Sequence, residues 1–178
     1  MKKLLVTLTA VLVSVSTFGQ GTIFFNNRTS AGDVRIYAPD GVSGAGTASA
    51  VVNAQLFLVS GDTFTALTPA TTFRNNSAAA SFFVNPVDVT VPGIAPGNPA
   101  TVVIRFWDAA AGSFDAAIIR GQTAPLTISA LGGVNPITGA IVPTPDLAGL
   151  QSFVLVPEPS TITLGALGAA ALLYRGRK

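Results

Sequence analysis

The chain contains no cysteine and no histidine, and only eight carboxylates among its 178 residues. Without cysteine there is no disulfide framework, no thiolate nucleophile and no thiolate zinc site. Without histidine there is no Ser-His-Asp arrangement, no imidazole ligand and no side chain that titrates unperturbed near neutral pH. Enzymatic turnover is therefore not expected, and no catalytic residue, metal ligand or cofactor is assigned. Lysine is missing from the body as well. The ends hold Lys2, Lys3, Arg175, Arg177 and Lys178 against Glu158, whereas residues 4–156 hold five arginines against seven aspartates. The basic pI is thus a property of the termini. Arg28, Arg35, Arg74, Arg105 and Arg120 are scattered rather than clustered, which argues against nucleic acid as a partner, since phosphate binding needs grouped cations that release counterions.

What is present divides into three parts: 1–20, 21–156 and 157–178. Residues 1–20 begin with Lys2 and Lys3, continue as an apolar and threonine run from Leu4 to Val15, and end in small residues at Ser14, Ser16, Thr17 and Gly19. This is the layout of a signal peptide handed to a secretion translocon, with cleavage expected between about residues 17 and 21. A run of roughly 12 residues is short for the ~20 that a permanent membrane helix needs.

At the other end, Pro157-Glu158-Pro159 precedes an apolar segment with Ile162, Leu164, Leu167, Leu172 and Leu173, and then the basic end Arg175, Arg177 and Lys178. Two prolines around Glu158 hold an extended spacer. The cations after the apolar segment stay in the cytoplasm by the positive-inside rule, leaving the body outside. Ser160 to Tyr174 would make a helix of ~22 Å, short for a ~30 Å hydrocarbon core, so a temporary transmembrane helix fits better than a durable one.

These last 22 residues closely resemble the PEP-CTERM sorting signal of exported bacterial proteins. The resemblance implies an exosortase-type transpeptidase as partner, which recognises the Pro-Glu-Pro motif and removes the helix. It also implies transient residence in the inner membrane, then a cell-surface or extracellular-matrix location, often with extracellular polysaccharide. Less specifically, Gly21 to Asn27, Phe106 to Gly112 and Gly149 to Phe153 resemble stretches of uncharacterised PEP-CTERM proteins of Verrucomicrobia-type bacteria. That second resemblance carries no biochemical function.

The body reads as strands. Candidates are 22–26, 34–38, 50–59, 63–67, 79–84, 87–91, 101–107, 114–119, 126–130 and 151–156, short and rich in Val, Ile, Phe and Thr, with Gly, Pro, Asn or Asp between most of them. With no sustained helical period, the pattern predicts an all-β fold, an antiparallel β-sandwich of Ig-like or jelly-roll type, between a signal helix and a short transmembrane helix. Ser60-Gly61-Asp62 is expected to close a tight hairpin. Pro92 to Pro99 and Gly132 to Gly149 are expected to be loops.

Chemical candidates are few. Asp33, Asp40, Asp62, Asp108 and Asp115 sit near glycines, but none fits the spaced carboxylates of an EF-hand loop, and turn-capping explains them better. Alternation along Thr101 to Trp107 places Val102, Ile104 and Phe106 on one face and Val103, Arg105 and Trp107 on the other. Arg105, Trp107 and Asp108 are the candidate ligand-binding residues, through stacking of an exposed ring on a sugar. The plainer reading puts Trp107 in the core with the Arg105 stem along it. The expected function is that of an exosortase-sorted structural protein of the surface or matrix, without catalytic activity. The alternative is a carbohydrate- or calcium-binding surface module.

Overall fold

A computed structural model describes residues 19–47 and 51–157. The expected signal peptide, 1–20, as far as residue 18, and the tail from Glu158 onward, including both expected helices, lie outside the described residues. Within them the fold is all-β: the helical content is two three-residue 3-10 turns, Ala45–Thr47 and Ala109–Ala111.

Two nine-residue strands, Val52–Ser60 and Ala100–Asp108, form the centre of a seven-stranded sheet. They pair antiparallel, with Ala54 opposite Phe106, Leu56 opposite Ile104 and Leu58 opposite Val102. Thr63–Ala66 continues the sheet on one side, joined to Val52–Ser60 by a two-residue turn in which Gly61 takes φ +57°. Only glycine adopts that conformation without strain, which is why the Gly-Asp pair closes the hairpin. On the other side Ile119–Gln122 pairs with Ala100–Asp108, and Val156–Pro157 pairs with Ile119 and Arg120 as the terminal strand. Leu126–Ile128 and Thr71–Thr72 attach to the two central strands.

Period-2 alternation buries Ala54, Leu56, Val102, Ile104 and Phe106 in one cluster with residues from shorter elements. Gly21–Phe25 and Val87–Val91 form an antiparallel pair that contributes Ile23, Phe25, Val89 and Val91. Ile36–Tyr37 runs parallel to Phe153–Val154 and adds Ile36. The elements that share this cluster with the large sheet are thus separate two-stranded pairs rather than a second continuous sheet.

Asn27 pins these pieces together. It is almost wholly buried, donates to the carbonyls of Val34 (2.7 Å) and Phe82 (2.9 Å), and accepts from the amide of Val84 (2.9 Å). One side chain thus bonds three backbone groups from separate segments, of which the Phe82 carbonyl also accepts from the Ile36 amide at 3.3 Å.

Two expected strands are not strands. In 79–84, Ser77 Oγ accepts from the Ala80 amide and Ser81 Oγ donates to the Ala78 carbonyl, so local side-chain bonds hold turns and leave one isolated bridge, Val84 to Phe73. In 114–119, Ser113 Oγ accepts from the Ala116 amide and the Arg120 guanidinium binds the Phe114 and Asp115 carbonyls, so extended structure starts only at Ile119. Conversely, the expected loop 132–149 contains a small hairpin, Gly133–Val134 with Ile141–Val142.

Candidate functional site

The outer face of the large sheet carries the candidates singled out by the sequence. Arg105 and Trp107 stand on it because they alternate with the buried Ile104 and Phe106. Register brings Gln122 opposite Arg105 and Arg120 opposite Trp107. The Arg105 guanidinium lies 4.3 Å from the ring centre of Phe64, 4.6 Å from that of Phe114 and 4.7 Å from that of Phe57, and its Nε donates to Gln122 Oε1 at 2.7 Å. Among the described residues no carboxylate lies within ion-pair distance of it. Its charge is held by ring faces and one amide, an arrangement open to Arg because its planar, weakly hydrated cation stacks well.

Trp107 is not an exposed platform. It is 6% exposed, and Phe114 meets it edge-on with centroids 6.5 Å apart. Its Nε1 is buried and bonds to no atom of the described residues, an unpaired donor of the kind that carries a desolvation cost. Asp108 is the N-cap of the following turn and accepts from the Ala110 amide at 2.9 Å. Arg105 and Trp107 thus share a face, while Asp108 is spent on its own loop. Phe57, Phe64, Phe114 and Gln122 were missed from the sequence. Phe57 and Phe64 flank a legible hairpin and could have been placed by counting outward in both directions from its turn at Gly61, but Phe114 sat in a segment read as strand.

Two other aspartates, Asp40 and Asp146, also brace backbone. Asp40 accepts from Ser43 Oγ and from the Val42 and Ser43 amides, and this bonding, the Ser43 hydroxyl first, holds its carboxyl below the ordinary value. Asp33 pairs with Arg28 at 3.1 Å. Asp146 accepts from the amides of Ser30 and Ala148 while lining an open groove of about 520 Å³ with Phe24, Thr127, Ser129 and Thr144. Among the described residues no three His, Cys, Asp or Glu side chains come together as a metal site would require.

The second region of interest is where the chain leaves the fold. Val154 and Val156 face outward while Leu155 between them is fully buried, its amide donating to the Tyr37 carbonyl at 3.0 Å. Gly121 makes room for this segment: a Cβ there would stand 2.9 Å from Phe153 Cε2 and 3.0 Å from Leu155 Cδ2. Pro157, the first proline of the motif, is paired with Ile119 at the end of the sheet, where its missing N–H is tolerated. Glu158, Pro159, the apolar segment from Ile162 to Leu173 and the basic end lie outside the described residues. Among the described residues no helix is long and apolar enough to cross a membrane.

No curated protein and no solved structure matches the chain. Residues 155–178 match the family of the PEP-CTERM protein-sorting motif. The match begins two residues before Pro157, at the buried Leu155. Over those residues the chain is similar to proteins that an exosortase sorts, which indicates export to the cell surface by way of a membrane-anchored precursor.

Proposed function

We propose that the protein is a non-catalytic structural component of the cell surface or extracellular matrix, a β-sandwich in which separate strand pairs cover one face of the large sheet, delivered by its tail. A signal peptide within residues 1–20 would take it to the translocon. The apolar segment would hold it in the inner membrane until an exosortase-type transpeptidase acts at Pro157-Glu158-Pro159, leaving the body free to associate with extracellular polysaccharide. The observation that carries this reading is the match over 155–178, continuous with a body in which Asp40, Asp108 and Asp146 brace turns. The alternative of a sugar- or calcium-binding module draws less support, because Trp107 is covered by Phe114 and Asp108 caps its own turn.

Mass spectrometry of the C-terminal peptide tests the reading. The surface form is expected to end near residues 157–160, and Glu158→Ala is expected to leave insertion intact but trap the precursor in the membrane, since insertion depends on the apolar run and cations. Surface protein with an intact tail, and a Glu158→Ala variant that behaves as wild type, would refute it.

A further inference from the structure

We infer that the sheet edge formed by Ile118, Val154 and Val156 is a bilayer-contact face of the anchored precursor. This rests on the sorting reading of the tail and adds an orientation to it. Ile118 is 70% exposed, Val156 60% and Val154 39%. They lie close together along the chain's exit: Val154 and Val156 flank the inward Leu155, Val156 is registered with Arg120, and Ile118 directly precedes Ile119, the partner of Pro157. Residues 116–119 and 147–157 contain no charged side chain, and the two charges that flank the first stretch, Arg120 and the exposed Asp115, are paired with each other at 3.9 Å. The neighbouring cation, Arg120, is folded back onto the Phe114 ring and the Phe114 and Asp115 carbonyls.

Chain length selects the occupant. Between Pro157, the last paired residue, and Ile162, where the apolar segment begins, lie only Glu158 to Thr161. Fully extended, that link spans at most ~17 Å. While the tail is inserted, this edge is the part of the body tethered nearest the lipid, and its three β-branched side chains meet the interface first. A contiguous exposed apolar patch signals an interaction surface, and the short tether assigns this one to lipid rather than to a soluble partner.

The chain has no native cysteine, so single labels report cleanly. Full chains carrying Ile118→Cys, Val156→Cys, Val42→Cys or Ile137→Cys, each labelled with an environment-sensitive nitrobenzoxadiazole dye, are reconstituted into phosphatidylethanolamine–phosphatidylglycerol vesicles and floated. Val42 and Ile137 are the controls, being 77% and 92% exposed elsewhere on the surface. Blue-shifted emission quenched by doxyl lipid is expected at 118 and 156 and not at 42 or 137. Floated protein with water-like emission at 118 and 156 overturns the proposed face while leaving the sorting reading standing, as does a shift at 137 in their place. A shift at 118 and 156 that needs no vesicles and grows with protein concentration assigns the edge to a second copy and also overturns it. Failure to float refutes the anchoring reading and the proposed face with it.

Discussion

The two faces of the Ala100–Asp108 strand are covered in different ways. Val102, Ile104 and Phe106 enter a continuous apolar cluster built from strands distant in sequence. Val103, Arg105 and Trp107 are covered by a local set: Phe57 and Phe64 around one hairpin, and Phe114 from the loop that follows. One face is covered by hydrocarbon alone, the other by rings around a half-buried cation. Alternation says which residues share a face, but not that the outer face has a cover of its own.

Substitutions on each face sharpen this contrast. Phe106→Ala should cost the most, about 3–5 kcal/mol, because it empties a position packed against Phe73 and Phe153, and denaturant unfolding should show the midpoint fall accordingly. Asn27→Leu should cost about 2–4 kcal/mol, since the Val34 carbonyl and the Val84 amide lose their side-chain partner and Phe82 keeps only the Ile36 amide, with Val84 and its neighbours losing amide-exchange protection first. Arg105→Met keeps the stem and removes the cation, so it should cost only about 1–2 kcal/mol, and unfolding should show that the cost hardly depends on salt, because rings rather than a carboxylate hold the charge. Trp107→Phe should lie within about 1 kcal/mol of wild type in the same measurement, as it gives up ring area but also discards the unpaired Nε1–H. An Arg105 effect as large as that of Phe106 would erase the distinction between the faces.

The smallest expected effect is in the Asp40 turn. Its carboxyl is held below 3.8 by bonds that need the ionised form. The turn is therefore supported above the ordinary carboxylate value and loses that support as pH falls through the lower folded value. An NMR titration should show the Val42 and Ser43 amides shifting together in that acidic window, and Asp40→Asn should abolish the step.

Much of this architecture was legible where one strand announces itself. The Ala100–Asp108 alternation and the Gly61-Asp62 hairpin could be read from neighbours in sequence, because period and turn chemistry are local. Phe114 to Ile118 has the composition of a strand but is turned by Ser113 and by Arg120, whose guanidinium position depends on its pairing with Ala100–Asp108. The parallel pairing of Ile36–Tyr37 with Phe153–Val154 joins opposite ends of the body and leaves no local signal. At the candidate site, Arg105 and Trp107 were found, but the burial of Trp107 depends on the misread Phe114. The sorting motif was legible because its order of parts is linear, whereas the docking of Leu155 just ahead of it was not.

That docking also has a mechanical side. A protein held to a surface through its C-terminus is pulled at Val156–Pro157, where two residue pairs with Ile119 and Arg120 can be peeled one after the other. Their release yields about 7 Å of slack at the strand rise. The pull then reaches Leu155, which cannot leave without emptying a core position and breaking its bond to the Tyr37 carbonyl. The tethered end thus behaves as a short extensible link in series with a latch, so small tugs are absorbed at the sheet edge before any load reaches the central strands.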